Sequence, residues 1–149
     1  MLAECVRSPQ ALIGVNDLFL YAHSRLLFLV ITMGHSWIDV EISNLEKDKS
    51  REVKALVDTG ASLTVLPRKL ADELGIVATT EEQVTTGAGE IKVEGGDVWI
   101  KIRDREKTNP VWISDIIDRV LIGVVTLESL GFAVDPTTGT LKERPLLLY

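Results

Sequence analysis

From Trp37 onward apolar and polar positions alternate: Ile38, Val40 and Ile42 fall on one face, and Trp37, Asp39 and Glu41 on the other. That period of two predicts a half-buried β-strand. The charged stretch 44–51 predicts a solvated hairpin loop, and residues 53–57 predict the strand that returns from it. Residues 63–66 are apolar again. Pro67 then opens a short predicted helix over 68–74, stopped by Gly75. Residues 79–86 and 91–93 flank a glycine turn, and residues 97–102 alternate with Val98, Ile100 and Ile102 on one side. Residues 103–109 predict a second charged loop, 111–113 a strand, and 114–119 a turn into an apolar strand at 120–122. A short helix follows and ends at Gly131. Residues 132–135 and 140–141 flank a turn at Pro136-Thr137-Thr138-Gly139. The tail 144–149 is an apolar strand with no evident partner in its own chain. Many short strands, frequent turns and one or two short helices predict an all-β domain, a closed or nearly closed barrel.

Residues 1–32 do not continue this pattern. Two apolar runs, 18–22 and 26–31, are split by His23-Ser24-Arg25. No uncharged run reaches the ~20 residues that a spanning helix needs. The basic start is weak and no clean cleavage site follows, so a signal peptide is a poor fit. Three readings remain for this segment: a helix covering the domain, a membrane-leaning anchor, or an artefact of start-site choice, with Met33 as the candidate start. The expected division is therefore an N-terminal extension, 1–32, and one domain, 33–149. No stable membrane span is expected, while weak membrane association through 1–32 stays open.

A chain of 149 residues with 46% hydrophobic content can bury a real core. The net charge of −6 and the lack of a basic stripe argue against nucleic acid as a partner. The single cysteine, Cys5, rules out an intrachain disulfide and fits a reducing, cytoplasmic compartment. His23 and His35 are isolated, and no Cys/His cluster has metal-ligand spacing, so neither metal nor cofactor is expected. Trp37, Trp99 and Trp112 read as core or sheet-face residues rather than substrate contacts.

The chemistry concentrates at Asp58-Thr59-Gly60-Ala61-Ser62, led in by Ala55-Leu56-Val57 and followed by Leu63-Thr64-Val65-Leu66-Pro67. A carboxylate closes an apolar strand, and a hydroxyl and a glycine let the backbone turn at once. Such an aspartate is poorly placed for packing and well placed for chemistry. Its plainer reading is an Asx-turn at a strand end. Downstream, Val120-Leu121-Ile122-Gly123 reads as a buried strand and a glycine, followed by the short helix.

Taken together, these two motifs resemble those of the retropepsin-like aspartic peptidases. Between them, Thr86-Gly87-Ala88-Gly89-Glu90-Ile91-Lys92-Val93 resembles the flap hairpin of that family, with its glycines at the tip. Residues 37–141 carry the resemblance, which implies a retropepsin-like acid protease barrel with one lobe per chain. It implies Asp58 as the catalytic residue. Thr59 would reach across a dimer, Gly60 would hold the carboxylate, and Ala61 and Ser62 would line the cleft. Ile122 and Gly123 would pack under the active-site loop, and Thr86, Gly87, Ala88 and Gly89 would form the flap.

The chemistry that the family implies needs two carboxylates facing one water. No second copy of the motif exists here, because Asp97, Asp115, Asp118 and Asp135 all stand in other contexts. One motif per chain therefore implies a homodimer that places the Asp58 of each subunit near the two-fold axis. Two departures stand out. Ser62 occupies the position of a substrate-gripping aspartate in retroviral members, and Val124 replaces the arginine that those members carry after Ile-Gly. The retroviral ion pair is thus missing, as in cellular members of the clan. The expected activity is aspartic endopeptidase cleavage of a peptide or protein substrate. The alternative is a non-catalytic peptide-binding or dimerisation module of the same fold.

Overall fold

The alternation that begins at Trp37 becomes strand β1, Ser36–Ser43. It pairs antiparallel along its whole length with β2, Ser50–Val57, from Ser36 opposite Val57 to Ser43 opposite Ser50. This computed structural model describes residues 36–148. The expectations for residues 1–32, for a start at Met33 and for Tyr149 lie outside the described residues. The loop between the two strands is held by Asn44, whose side-chain oxygen accepts the Lys49 N–H at 3.2 Å.

After β2 the chain makes its sharp turn at Asp58 and enters β3, Thr64–Pro67. Helix α1, Arg68–Leu74, follows directly. Its Leu70, Ala71 and Leu74 are buried, and Gly75 ends it in the left-handed region at φ 66°. Strand β4, Thr80–Thr86, pairs with the first half of β5, Gly89–Ile102. Strand β6, Arg105–Ser114, runs back along the second half of β5. A short strand β7, Leu121–Ile122, leads into helix α2, Val124–Ser129. Strands β8, Phe132–Val134, and β9, Leu141–Glu143, form a small hairpin of their own.

The structure corrects three expectations. The return strand of the glycine turn and the alternating segment 97–102 are one strand of 14 residues, β5, which continues through Gly95 and Gly96. The supposed charged loop 103–109 is mostly strand, because β6 begins at Arg105. Only Arg103 and Asp104 turn the chain, with Arg103 at φ 56°. Cross-strand pairing with β5 from Glu94 opposite Ile113 to Ile102 opposite Arg105 sets that register; Glu106 and Lys107 stay exposed in it, and Arg105 turns its guanidinium onto the Leu130 and Gly131 carbonyls. Third, residues 144–148 form no strand among the described residues.

The large sheet has the order β1-β2-β7-β3-β6-β5-β4, and β1 also pairs with β5. The pairings therefore run in a ring from β1 back to β1, and β4 stands outside it on β5 alone. Ile42, Leu66, Val98, Ile100, Val111 and Ile122 meet inside the ring. Phe132 extends this core, and the Arg105 guanidinium closes over it, donating to the carbonyls of Leu130 at 3.1 Å and Gly131 at 2.8 Å. The 136–139 turn is organised by Asp135. Its carboxylate accepts the Thr137 N–H at 2.8 Å and pairs with Lys142 at 2.5 Å. Those partners, Lys142 first, lower its pKa to about 2. Among the described residues no helix is long and apolar enough to cross a membrane.

Candidate active site

Strand β2 carries the chain to Asp58, and the short β7 holds it there. The two run parallel, Leu56 opposite Leu121 and Val57 opposite Ile122. The backbone N–H of Leu56 donates to the Val120 carbonyl at 2.9 Å, and that of Asp58 to Ile122 at 3.0 Å. Beyond Asp58 the backbone reverses, and the Ala61 N–H reaches back to the Asp58 carbonyl at 3.1 Å. Inside this turn the Gly60 N–H donates to Asp58 Oδ1 at 2.9 Å, and Oδ2 makes no hydrogen bond to another described residue. A backbone donor fixes the carboxylate without neutralising it. Asp58 is half-buried, while Thr59, Gly60 and Ser62 are exposed in the single chain.

The turn rests on the start of α2. The N–H groups of Val124 and Val125 donate to the carbonyls of Ala61, at 2.9 Å, and Ser62, at 3.1 Å. Beneath them, fully buried Thr64 and Thr126 share a hydroxyl–hydroxyl bond of 2.8 Å, and Thr64 Oγ1 also accepts the Gly123 N–H at 3.2 Å. Gly123 is where the two segments touch. A Cβ there would stand 2.4 Å from the Leu63 carbonyl carbon, 2.5 Å from its oxygen and 2.8 Å from the Ser62 oxygen. These are backbone atoms, so relief requires moving the Asp58 turn itself. Gly123→Ala is therefore expected to lose roughly 3 kcal/mol of stability and about 10 °C in Tm, measured by thermal unfolding. A variant melting with its parent would show that the turn yields freely.

The β4–β5 hairpin faces this turn. Thr86 pairs with Gly89 across a connection of Gly87 and Ala88. Thr86 Oγ1 donates to the Gly89 carbonyl at 2.8 Å and accepts the Ala88 N–H at 3.2 Å. Gly89, at φ 119°, takes a backbone conformation that side chains disfavour. Between hairpin and turn lies a cleft of about 670 Å³, to which Asp58, Gly60, Ala61, Ser62, Thr86 and Gly87 all contribute. Ile122 and Gly123 lie beneath it, buried, and Ala88 and Gly89 complete the tip of the hairpin.

Among the cleft residues that escaped the sequence reading are Trp112, Glu82 and Ile117. Trp112 lines the cleft from β6, and Glu82 lines it from β4. The Trp112 indole N–H donates to Glu82 Oε2 at 2.9 Å, which ties the hairpin to the ring. Ile117, half-buried in the turn before β7, also lines it. Trp112 reads from the sequence as a core or sheet-face residue, and in the structure it stands on β6 opposite Gly95, whose missing side chain leaves room for Thr80 and Glu82. No local signal marks such residues, because their neighbours come from distant strands. Nearby, the Asp115 and Glu94 carboxylates grip Arg68 and raise its guanidinium pKa above the ordinary value. Among the described residues no cluster of His, Cys, Asp or Glu has the form of a metal site.

Comparison with known proteins adds the following. A family profile described as aspartyl protease matches residues 38–134. No curated protein sequence matches the chain. Among solved structures, EIAV protease complexed with the inhibitor HBY-793 aligns with a TM-score of 0.51 at 22% identity, over 65% of this chain and 88% of that one. A retropepsin-like aspartic protease from Rickettsia conorii aligns at a TM-score of 0.49 and 26% identity, over 68% of this chain and 76% of that one. Simian foamy virus (mac) protease gives a TM-score of 0.45 at 22% identity, over 62% and 91%.

Proposed function

The chain belongs to the aspartyl protease family and has the retropepsin-like fold, and on that premise we propose that it is a homodimeric aspartic endopeptidase, with residues 33–149 as its protease domain. The observation that carries this reading is the Asp58 carboxylate, fixed by the Gly60 N–H at the wall of a peptide-sized cleft beneath a hairpin. The other carboxylate of the cleft, Glu82, stands on β4 and is engaged by Trp112. The second acid is therefore the Asp58 of another copy, brought near by a two-fold axis.

Two carboxylates about 3 Å apart cannot both ionise, so the pair holds one proton. The ionised member takes a proton from water as the water oxygen attacks the scissile carbonyl. The protonated member donates to that carbonyl oxygen, giving a neutral tetrahedral diol. Collapse of the diol breaks the C–N bond, and the amine leaves with a proton from the dyad. Thr59 bonds across the dimer. Ala61 and Ser62 form the floor beside the substrate, with Ile122 and Gly123 supporting the turn. The hairpin tip, Thr86 to Gly89, closes over the peptide and excludes water. The net charge of −6 supports a peptide rather than a nucleic acid as ligand. The single cysteine supports a cytoplasmic setting.

Peptide cleavage by the purified protein tests the reading. The rate is expected to be bell-shaped in pH with its maximum below neutral, because only the singly protonated dyad works. A peptide with a statine-type hydroxyl is expected to inhibit, since that hydroxyl replaces the attacked water. A rate that climbs through alkaline pH would contradict the dyad. Peptide binding with no cleavage at any pH would leave a non-catalytic binding module.

A further inference from the structure

Glu82 is a carboxylate in the cleft that the proposed chemistry does not use. It stands opposite Val93 in the hairpin register. Two donors orient it: the Trp112 indole N–H to Oε2 at 2.9 Å, and the Thr80 hydroxyl to Oε1 at 3.2 Å. Among the described residues no cation pairs with it. Lys92, on the same hairpin, pairs with Glu81 at 2.9 Å, and Arg68 is taken by Glu94 and Asp115. Among the described residues no lysine or arginine lines the cleft, and the two charged residues that do, Asp58 and Glu82, are both acidic.

An ionised carboxylate accepts through two oxygens, each with more than one lone-pair direction. One donor on each oxygen leaves Glu82 able to accept from a ligand. Trp112 adds indole surface beside it. A lysine or arginine can lay its methylene stem along such a surface and bring its charged head to the carboxylate. In an open, wet cleft that pairing would be weak. A peptide lying under the hairpin displaces water, which strengthens it.

We propose that Glu82 and Trp112 form a subsite for a basic side chain, so that the substrates are peptides or protein segments carrying lysine or arginine close to the bond cut. Cleavage of such substrates rests on the peptidase reading above; selective binding of them does not. In a two-fold dimer each subunit supplies one such subsite. Basic residues are then favoured on both sides of the scissile bond.

The test uses the full chain and a randomised peptide library, with the cleaved ends sequenced. Matched peptides carrying lysine or norleucine at the selected position follow. The lysine peptide is expected to show about a tenfold higher kcat/KM at low salt. That ratio falls to near parity in Glu82→Gln, whose amide oxygen still accepts the Trp112 N–H and keeps the hairpin tethered. Glu82→Lys shifts the preference to glutamate. Binding of the same fluorescently labelled peptides to Asp58→Asn, with and without Glu82→Gln, provides a readout free of catalysis.

Cleavage without a lysine preference, or a preference that Glu82→Gln leaves intact, overturns the subsite while leaving the peptidase standing. A Glu82-dependent lysine preference in binding, with no cleavage by the parent protein, upholds the subsite and removes the peptidase. Loss of both cleavage and preference overturns both.

Discussion

Asp58→Asn is expected to lower kcat/KM by at least about 10⁴-fold, which corresponds to roughly 5 kcal/mol of transition-state stabilisation. The exchange is nearly isosteric. The asparagine oxygen can still accept the Gly60 N–H that now reaches Asp58 Oδ1 at 2.9 Å. The turn therefore keeps its internal bond, and the fold is expected to change by less than about 1 kcal/mol. What disappears is the group that, in the proposed mechanism, takes and returns the proton. Subunit mixing sharpens the test. If one dyad needs both Asp58 carboxylates, equal amounts of parent and variant chains leave about one quarter of dimers active, the fraction with two parent subunits. A site complete in each chain would leave half the activity. Wild-type turnover in the pure variant would remove Asp58 from the mechanism. Dissociation of the variant in sedimentation would make Asp58 an assembly residue instead.

Deleting residues 145–149 is expected to convert the proposed dimer to monomers and to abolish the proposed peptidase activity with it. Arg144 is the last residue visibly tied down, its N–H donating to the Gly131 carbonyl at 2.7 Å. Beyond it Leu146, Leu147 and Leu148 are 60%, 63% and 100% exposed. Consecutive apolar residues without a strand partner invite addition of a strand from another copy. Burying each leucine contributes about 1.5–3 kcal/mol before the entropy of association is subtracted. A net loss of only about 4 kcal/mol would weaken the dimer roughly 10³-fold. The deletion leaves the β8–β9 hairpin and its Arg105 and Asp135 anchors in place, so the monomer is expected to stay folded by circular dichroism. A truncated chain that sediments as a dimer and still cleaves peptide would place the interface elsewhere. A lost dimer that keeps full activity would refute the shared site.

The amino-acid sequence by itself determined the features that depend on near neighbours. Strand β1 was legible because its buried and exposed residues alternate. Helix α1 was legible because Pro67 opens it and Gly75 closes it. The turn at Asp58 and the hairpin tip at Gly87 were legible because a glycine follows an apolar or β-prone run at each, whereas Gly95 and Gly96 lie inside β5 and mark no reversal. Of the residues singled out there, Asp58, Gly60, Ala61, Ser62, Thr86 and Gly87 come together around one cleft in the structure.

Tertiary structure alone decided the rest, because a strand's hydrogen-bond partners lie far away in the chain. Arg105, Glu106 and Lys107 look like a loop until β5 lies beside them, with Glu106 and Lys107 left exposed and Arg105 laid over Phe132. The break seen between Val93 and Asp97 vanishes because β6 and the β4 hairpin pair with β5 on either side of it. Glu82 and Trp112, 30 residues apart, become neighbours only when β5 takes β4 along one edge and β6 along the other. Their contact, and the acidic wall it gives the cleft, belong to the register of three strands and to no segment of the chain.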